Sequence, residues 1–207
     1  MGKLAGQKGP AVSLILALNP QPLSAIARMK IRKTNEKDVG RLPAIERSAD
    51  RAFLSLPALA WVANDGVMPV ATHRRLISEG YSIVAIDQDD APVGFLIAKC
   101  QDDEMHILGL AVEQSCQGKG VGTQLLSRAI KDAKQQQRHS ITLTTFRDVA
   151  WNQGFYERNG FKVLDKGELS AQLKEILLQE IEHGFLAETR CAMQLTLPKP
   201  VYLSDDR

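Results

Sequence analysis

One segment of the chain constrains its fold more than any other, because a strand pattern, a glycine-rich turn and a helix pattern follow one another directly. Residues 104–112 predict a strand, and apolar residues at helical spacing predict a helix from residue 121 to about residue 136. Between them lies Gln117-Gly118-Lys119-Gly120-Val121-Gly122. Backbone N–H groups at a helix N-terminus attract anions, and glycines allow a close approach. The segment therefore predicts a site for a diphosphate group, with Lys119 as a cation at its rim and Gln117 as an amide donor.

The spacing of the glycines disfavours two common nucleotide-binding folds. A Walker A loop needs Ser or Thr after Gly-Lys, whereas Gly120 follows Lys119. A dinucleotide fold needs the third glycine one residue later and an acidic residue at the end of the next strand, which here ends Thr144-Thr145-Phe146. A nucleotide triphosphatase and a dinucleotide oxidoreductase are therefore disfavoured.

Two motifs resemble those of the GNAT superfamily of acetyl-CoA-dependent N-acetyltransferases. Leu110-Ala111-Val112, four further residues and the glycine turn resemble its Q/R-x-x-G-x-G/A motif, and residues 155–161, Phe-Tyr-Glu-Arg-Asn-Gly-Phe, resemble its second signature. Residues 144–152 are similar to those of a bacterial subgroup. The resemblance implies an α/β fold of the α+β type, with a mixed, mostly antiparallel sheet of about seven strands flanked by helices. We expect one such domain over residues 29–203, after an N-terminal extension of residues 1–28.

The same resemblance implies a co-substrate and a reaction. It implies that the pantetheine arm of acetyl-CoA lies between a splayed fourth and fifth strand, pairing with backbone near Leu110 and Val112. It implies transfer of the acetyl group by direct attack of a primary amine on a small molecule or peptide, with no metal. Asn152 is expected to contact the cofactor, although a polar residue at a helix N-terminus is the alternative. The implied cofactor-binding residues are Leu110, Ala111, Val112, Gln117, Gly118, Lys119, Gly120, Val121, Gly122, Thr123, Asn152 and Tyr156.

The catalytic residues follow from the resemblance and from strand periodicity. Tyr156 matches the family's proposed general acid toward the CoA sulfur; the alternative is a packed aromatic ring. Many relatives carry a glutamate base on the fourth strand, and in the similar bacterial subgroup a glutamate precedes the Leu-x-Val run, where this chain has Gly109. Counting by twos puts His106 on one strand face with Glu104, Leu108, Leu110 and Val112. With an ordinary pKa of about 6.5, His106 is the preferred base, Glu104 the second candidate and a structural histidine the alternative.

Gly109 also motivates a second function, a non-catalytic regulatory module that binds acyl-CoA. Other reactive side chains have weaker signals. Cys116 directly precedes the glycine turn and is a candidate reactive thiol. The alternative is an inert side chain, as most lone cysteines are. Trp61 and Asp65 could line an amine pocket within the irregular residues 54–68, with core packing as the alternative for Trp61. His73, His139 and His183 are expected at surfaces or helix ends.

Net charge and cysteine pattern limit the binding partners and the cellular compartment that we expect. Lys plus Arg number 26 against 24 Asp plus Glu, a net charge of +2, which predicts neither nucleic-acid nor membrane binding. The three cysteines lack a C-x-x-C pair and fit a reducing cytoplasm. Residues 1–28 mimic a short signal peptide, but a disordered extension or a start at Met29 is the preferred interpretation. A C-terminal edge strand would favour a homodimer.

The remaining elements follow from periodicity and turn residues. Strands are expected at about residues 29–34, 81–87, 93–100, 141–146, 161–164 and 190–195. Helices are expected at about residues 36–53, 70–79, 151–159 and 168–183. Gly80 and Gly160 are expected to end helices in the left-handed conformation.

Overall fold

The computed structural model describes residues 29–198, which form one mixed sheet flanked by helices. Within this part of the chain seven strands lie in the order β1-β2-β3-β4-β5-β7-β6, and of their pairs only β4–β5 is parallel. This confirms the expected fold class; residues 1–28 and 199–203 lie outside the described residues. The elements are β1 (Lys30–Lys33), α1 (Leu42–Asp50), α2 (Val70–Glu79), β2 (Tyr81–Ile86), β3 (Pro92–Gln101), β4 (Glu104–Val112), α3 (Val121–Gln135), β5 (Ser140–Phe146), α4 (Gln153–Arg158), β6 (Lys162–Val163), α5 (Ala171–His183) and β7 (Arg190–Thr196).

Two apolar clusters cover the two faces of the sheet. The first cluster packs α3 and α4 against the strands through side chains such as Leu125, Leu126 and Phe155. The second packs α1 and α2 against the opposite face through side chains such as Ile45 and Leu76. Because both faces are covered, β2 and β5 are buried along their whole length.

A bulge in β4 decides which way its side chains point. Ile97 pairs with Gly109 and the next residue, Ala98, pairs with Ile107, so Leu108 is an extra residue without a partner in β3. One inserted residue exchanges the two faces of a strand beyond it. Met105 and Ile107 consequently share the first cluster with Leu110 and Val112. The prediction that His106 shares a face with Leu110 and Val112 is wrong, since His106 alternates with Met105 and Ile107.

The parallel strands β4 and β5 separate beyond the bulge. Their pairing runs from Glu104↔Ser140 to Ile107↔Leu143 and stops there, although β4 continues to Val112 and β5 to Phe146. A cleft therefore opens between the C-terminal ends of the two strands. The glycine turn follows β4 at this same end.

Three local predictions are wrong. Residues 36–41 form turns and a short 3₁₀ segment, Val39–Arg41, before α1 begins at Leu42 with a proline in its first turn. Asp38 uses its carboxylate to accept from the Asn35 N–H at 2.8 Å and from the Arg32 guanidinium at 2.6 and 3.0 Å, which stabilises those turns. Gly80 has φ −135° and is not left-handed; a Cβ there would lie 2.6 Å from the Ala98 carbonyl oxygen.

The third wrong prediction concerns the C-terminal strand. β7 is not an edge strand, because it lies between β5 and β6. The two-residue β6 forms the edge and pairs with Gln194 and Met193. The edge-strand argument for a homodimer therefore loses its basis.

Asp50, at the end of α1, provides a test of how burial affects stability. The residue is only 4% exposed, and its Oδ1 has no hydrogen-bond partner within the described part of the chain. Burial, with Glu46 and Asp65 nearby, raises the pKa of Asp50 from 3.8 to about 8. The folded protein thus holds this proton more tightly than the unfolded chain. The stabilisation is complete below about pH 4 and is lost as the pH rises toward 8.

Asp50→Asn is therefore expected to raise the free energy of unfolding at pH 7.5 by up to about 5 kcal/mol, since each pH unit between 3.8 and the folded pKa costs about 1.4 kcal/mol, and to change it little near pH 4. Urea unfolding of both proteins at the two pH values measures this difference. An equal gain at both pH values would mean that ionisation of Asp50 is not the cause.

Candidate active site

The glycine turn has the backbone geometry of an anion site. Gly118 and Gly120 have φ values of 72° and 76°, in the left-handed region that favours glycine. The first α3 hydrogen bond runs from the Gln124 N–H to the Gly120 carbonyl at 3.0 Å. The N–H groups of Val121, Gly122 and Thr123 precede that ladder, so they are available to an anion. Lys119 is exposed and forms no ion pair within residues 29–198.

The side chain of Gln117 stabilises the glycine turn by a hydrogen bond to the backbone. Its Nε2 donates to the Val112 carbonyl at 3.0 Å, which fixes the turn against the end of β4. One of its two amide hydrogens is therefore already used, and the Val112 carbonyl is occupied as well. Val121 and Gly122 are buried, so any contact they make with an anion is through backbone N–H groups.

The elements beside the cleft carry buried polar groups without partners. Asn152 is fully buried, and neither its Oδ1 nor its Nδ2 has a hydrogen bond to any described residue. The same holds for Thr145 Oγ1 in β5 and Tyr156 Oη in α4. Buried polar groups are nearly always hydrogen-bonded, so a group of unpaired ones indicates a ligand that supplies partners. Pantetheine fits this site, because its two amides supply both donors and acceptors.

Asn152 precedes α4, and only its backbone acts as a cap. The Asn152 carbonyl accepts from the N–H groups of Phe155 at 3.0 Å and Tyr156 at 3.2 Å. Its side chain makes no capping bond. The alternative role for this side chain, helix capping, is therefore absent from the structure.

Tyr156 combines tight packing with a protonated hydroxyl. Its ring contacts Phe155 and Phe161 edge-to-face, with centroid distances of 5.0 and 5.5 Å. Burial raises the pKa of the hydroxyl well above 10. The group therefore stays protonated at neutral pH, as a general acid must.

His106 belongs to a chain of three hydrogen-bonding side chains. Its Nδ1 lies 2.9 Å from Thr142 Oγ1, and that hydroxyl donates to Glu104 Oε1 at 2.8 Å. The hydroxyl has a single hydrogen, which it gives to Glu104. His106 must then donate from Nδ1, so Nε2 keeps its lone pair.

The environment of His106 changes its acidity. The residue is 4% exposed, and burial together with Lys99 lowers its pKa from 6.5 to about 4. The ordinary value assumed from the sequence does not hold, because the charged form loses hydration in the sheet. His106 is accordingly neutral at neutral pH. Glu104, the second candidate base, accepts hydrogen bonds from the hydroxyls of Thr142 at 2.8 Å and Ser140 at 3.4 Å.

Aromatic rings of the second cluster pack together on the α1 side of the sheet, at the C-terminal end of β5. Phe146, at the end of β5, lies 5.0 Å from Phe53 and 5.2 Å from Phe185 between ring centroids. Trp61 packs on Phe185 at 5.0 Å but remains 39% exposed, so the interpretation of Trp61 as a core residue is wrong. The irregular segment forms short helical turns as predicted, with a 3₁₀ run at Pro57–Asn64, and packs Trp61 against these rings.

An ion pair connects that segment to α5. Asp65 Oδ2 lies 2.6 Å from Nε2 of His183, whose ring also contacts Trp61. His183 is therefore partly buried rather than simply solvated at a helix end.

A buried ion pair beside the cleft escaped the sequence-based prediction. Arg190 donates from Nε and Nη2 to the two carboxylate oxygens of Glu180 at 2.8 and 2.6 Å, and Thr144 Oγ1 donates to the same carboxylate at 2.6 Å. The guanidinium lies over the Phe146 ring, 4.3 Å from its centroid. The available signal was Glu180 itself, seven residues after the buried Leu173 and thus on the same helix face.

The remaining candidates lie elsewhere. His73 is buried, 3.9 Å from Glu46 and edge-on to Phe95, so its predicted surface position is wrong. His139 is at the surface as predicted, 3.2 Å from Asp103. Cys116 packs against the first cluster. Residues 29–198 contain no group of three or more side chains that could hold a metal, and none of their helices is long and apolar enough to span a bilayer.

Residues 48–161, over half the chain and including the glycine turn and Tyr156, match the model of the acetyltransferase (GNAT) family. Solved structures share the fold. PaiA N-acetyltransferase from Thermoplasma acidophilum, in complex with coenzyme A, is 18% identical, with 82% of this chain and 99% of that chain covered and a TM-score of 0.60. The ribosomal-protein-S18-alanine N-acetyltransferase from Escherichia coli is 15% identical, with coverages of 84% and 99% and a TM-score of 0.60. N-acetylglutamate synthase from Neisseria gonorrhoeae, complexed with coenzyme A and N-acetyl-glutamate, is 17% identical, with coverages of 84% and 36% and a TM-score of 0.61.

Proposed function

Because the chain belongs to the GNAT family of acetyltransferases, we propose that it moves an acetyl group from acetyl-CoA to a primary amine of a small molecule or peptide. One observation carries this proposal: the β4–β5 cleft has anion-binding backbone at its mouth and the unpaired, buried groups of Thr145, Asn152 and Tyr156 beside it. Such groups are costly unless a ligand completes them. A cytoplasmic location is part of this proposal, because acetyl-CoA is a cytosolic metabolite.

Different residues of the site bind different parts of acetyl-CoA. The N–H groups of Val121, Gly122 and Thr123 face the diphosphate, with Lys119 adding charge and the turns at Gly118 and Gly120 allowing its approach. Asn152 bonds pantetheine amides. The β4 edge at Leu110 and Ala111, which β5 leaves unpaired, offers further backbone groups, while Val112 and Gln117 mainly hold the turn in place.

His106 and Tyr156 supply the two proton transfers. The amine nitrogen forms a bond to the thioester carbon, and the carbon–sulfur bond breaks. His106 takes the proton of the amine at Nε2, directly or through water, and Tyr156 gives its hydroxyl proton to the departing thiolate. The two side chains fit these roles because they lie on opposite faces of the sheet. Tyr156 packs with the first cluster, and His106 points to the face covered by α1.

His106→Gln is expected to lower kcat/KM about 100-fold between pH 6 and 8, because the lone pair at Nε2 is lost. Thr142→Val keeps the imidazole but removes the hydrogen bonds of the Thr142 hydroxyl to His106 Nδ1 and to Glu104, and it is expected to cause a smaller loss. NMR of the imidazole should show the Nδ1–H tautomer and a pKa near 4 in the wild-type protein. Normal turnover of His106→Gln with every accepted amine would remove His106 from the mechanism.

Acetyl transfer itself is tested by titrating the protein with acetyl-CoA in a calorimeter and by following free-thiol release over a panel of primary amines. We expect binding together with amine-dependent release of CoA. Gly120→Val, strained at a left-handed position, is the control and should weaken binding of acetyl-CoA. Tight binding without release for any amine would favour the alternative, a regulatory module that binds acyl-CoA.

A further inference from the structure

A separate cavity lies on the α1 side of the molecule. Its volume is about 550 Å³, within the range of small-molecule sites, about 300–1,000 Å³. The lining residues come from α1, the 3₁₀ turns that follow it and the segment after β4; they are Arg47, Arg51, Leu54, Ala63, Asn64 and Gln114.

The cavity is positively charged. Arg47 and Arg51 are one helical turn apart, and neither forms an ion pair within the described residues, whereas Arg32 and Arg41 pair with Asp38 and Glu113. No acidic side chain is among the lining residues. Glu46 and Asp50 each adjoin one of the arginines in the sequence, but both are only 4% exposed. The Glu46 carboxylate accepts from the Met68 N–H at 3.0 Å, and burial raises the pKa of Asp50 to about 8, so Asp50 does not neutralise the arginines at neutral pH.

The cavity adjoins the open end of the β4–β5 cleft. The Gln114 N–H donates to Ser48 Oγ at 3.2 Å, which holds the start of the glycine-turn segment against α1. Leu54 follows Phe53, whose ring packs 5.0 Å from Phe146 at the end of β5. The cavity thus lies on the α1 side of the sheet, the face to which His106 points and, in the proposed function, the face from which the amine approaches.

We propose that this arginine pocket binds an anionic group of the amine acceptor, a carboxylate or a phosphate. The inference rests on the proposed function and adds the substrate class. Guanidinium groups bind both anions through paired hydrogen bonds, and the amides of Asn64 and Gln114 provide further donors. The preferred acceptors are then amino acids, acidic peptides or amino phosphates. Polycationic amines are disfavoured, because the pocket repels them.

Matched acceptors test this proposal. Alanine is compared with alaninamide, and phosphoethanolamine with ethanolamine, so that the pairs separate carboxylate from phosphate recognition. Wild-type protein should prefer the anionic member of at least one pair. In Arg47→Gln/Arg51→Gln, KM for that member should rise about 10- to 100-fold, as expected for lost hydrogen bonds to a charged group. KM for the neutral member and for acetyl-CoA should stay within about twofold, and Arg75→Gln on α2 serves as the control.

The possible failures are distinguishable. If acceptors are acetylated without preference for the anionic members, the pocket assignment is wrong and the acetyltransferase function stands. A rise in KM for acetyl-CoA alone would assign the arginines to the phosphates of the donor and overturn the proposal. If no amine is acetylated, the proposed function fails, and calorimetry with N-acetylalanine and N-acetylalaninamide still tests the pocket: equal affinities, unchanged in the double variant, overturn it.

Discussion

Replacing Tyr156 by Phe is expected to lower kcat for acetyl transfer by about 100-fold or more, since the departing thiolate loses its proton donor. The protein should stay folded. The ring contacts with Phe155 and Phe161 are retained, and no described residue depends on the lost hydroxyl for a hydrogen bond. Steady-state kinetics at saturating amine, with thermal unfolding of both proteins, measures the effect.

Two further measurements separate acid catalysis by Tyr156 from packing. KM for acetyl-CoA should change far less than kcat, because the Tyr156 hydroxyl is only one of the unpaired groups beside the cleft and the diphosphate site at the glycine turn is unaffected. Acetyl donors whose thiols have lower pKa values should reduce the loss, since such thiols leave without a proton. Unchanged turnover of Tyr156→Phe at saturating substrates would falsify the acid role and leave Tyr156 as a packing residue.

Replacing Arg190 by Leu is expected to lower the free energy of unfolding by about 3–5 kcal/mol, because the carboxylate of Glu180 would remain buried without its cation. Both side chains are almost fully buried, and the pair connects β7 to α5. Urea unfolding of both proteins at neutral pH measures the loss.

A double replacement provides the control for the buried pair. Glu180→Leu together with Arg190→Leu removes both charges and should recover most of the lost stability, because an apolar pair of similar size has no desolvation cost. Thr144 loses its acceptor in this variant, so recovery should be incomplete. A double variant as unstable as Arg190→Leu would show that the aromatic contacts of Arg190, rather than its charge, dominate.

Features that depend on neighbouring residues could be predicted from the chain. The glycine turn precedes α3 as predicted, and the observed end of α3 at Gln135 lies one residue from the predicted end. β4 has the predicted bounds. Gly160 has φ 89° and ends α4 in the left-handed conformation as expected. Gly80 was mispredicted because its constraint comes from the Ala98 carbonyl of β3, which is distant in sequence.

The site required information that periodicity does not contain. A count by twos along β4 assumes an unbroken strand, and the bulge at Leu108 depends on pairing with β3. The acidity of His106 depends on burial and on Lys99, and its tautomer on Thr142 of β5. The arginine pocket combines α1 with residues after β4, which no local pattern brings together.

The residue order alone therefore determined the cofactor turn, the family and Tyr156 as the candidate acid, because each rests on a short motif whose backbone geometry is set by adjacent residues. Tertiary structure decided which face His106 occupies, how far β4 and β5 separate and where Arg47, Arg51, Glu180 and Arg190 lie. The physical reason is that strand register, desolvation and charge proximity arise between segments far apart in the chain, and they are established only when the sheet and its helices pack together.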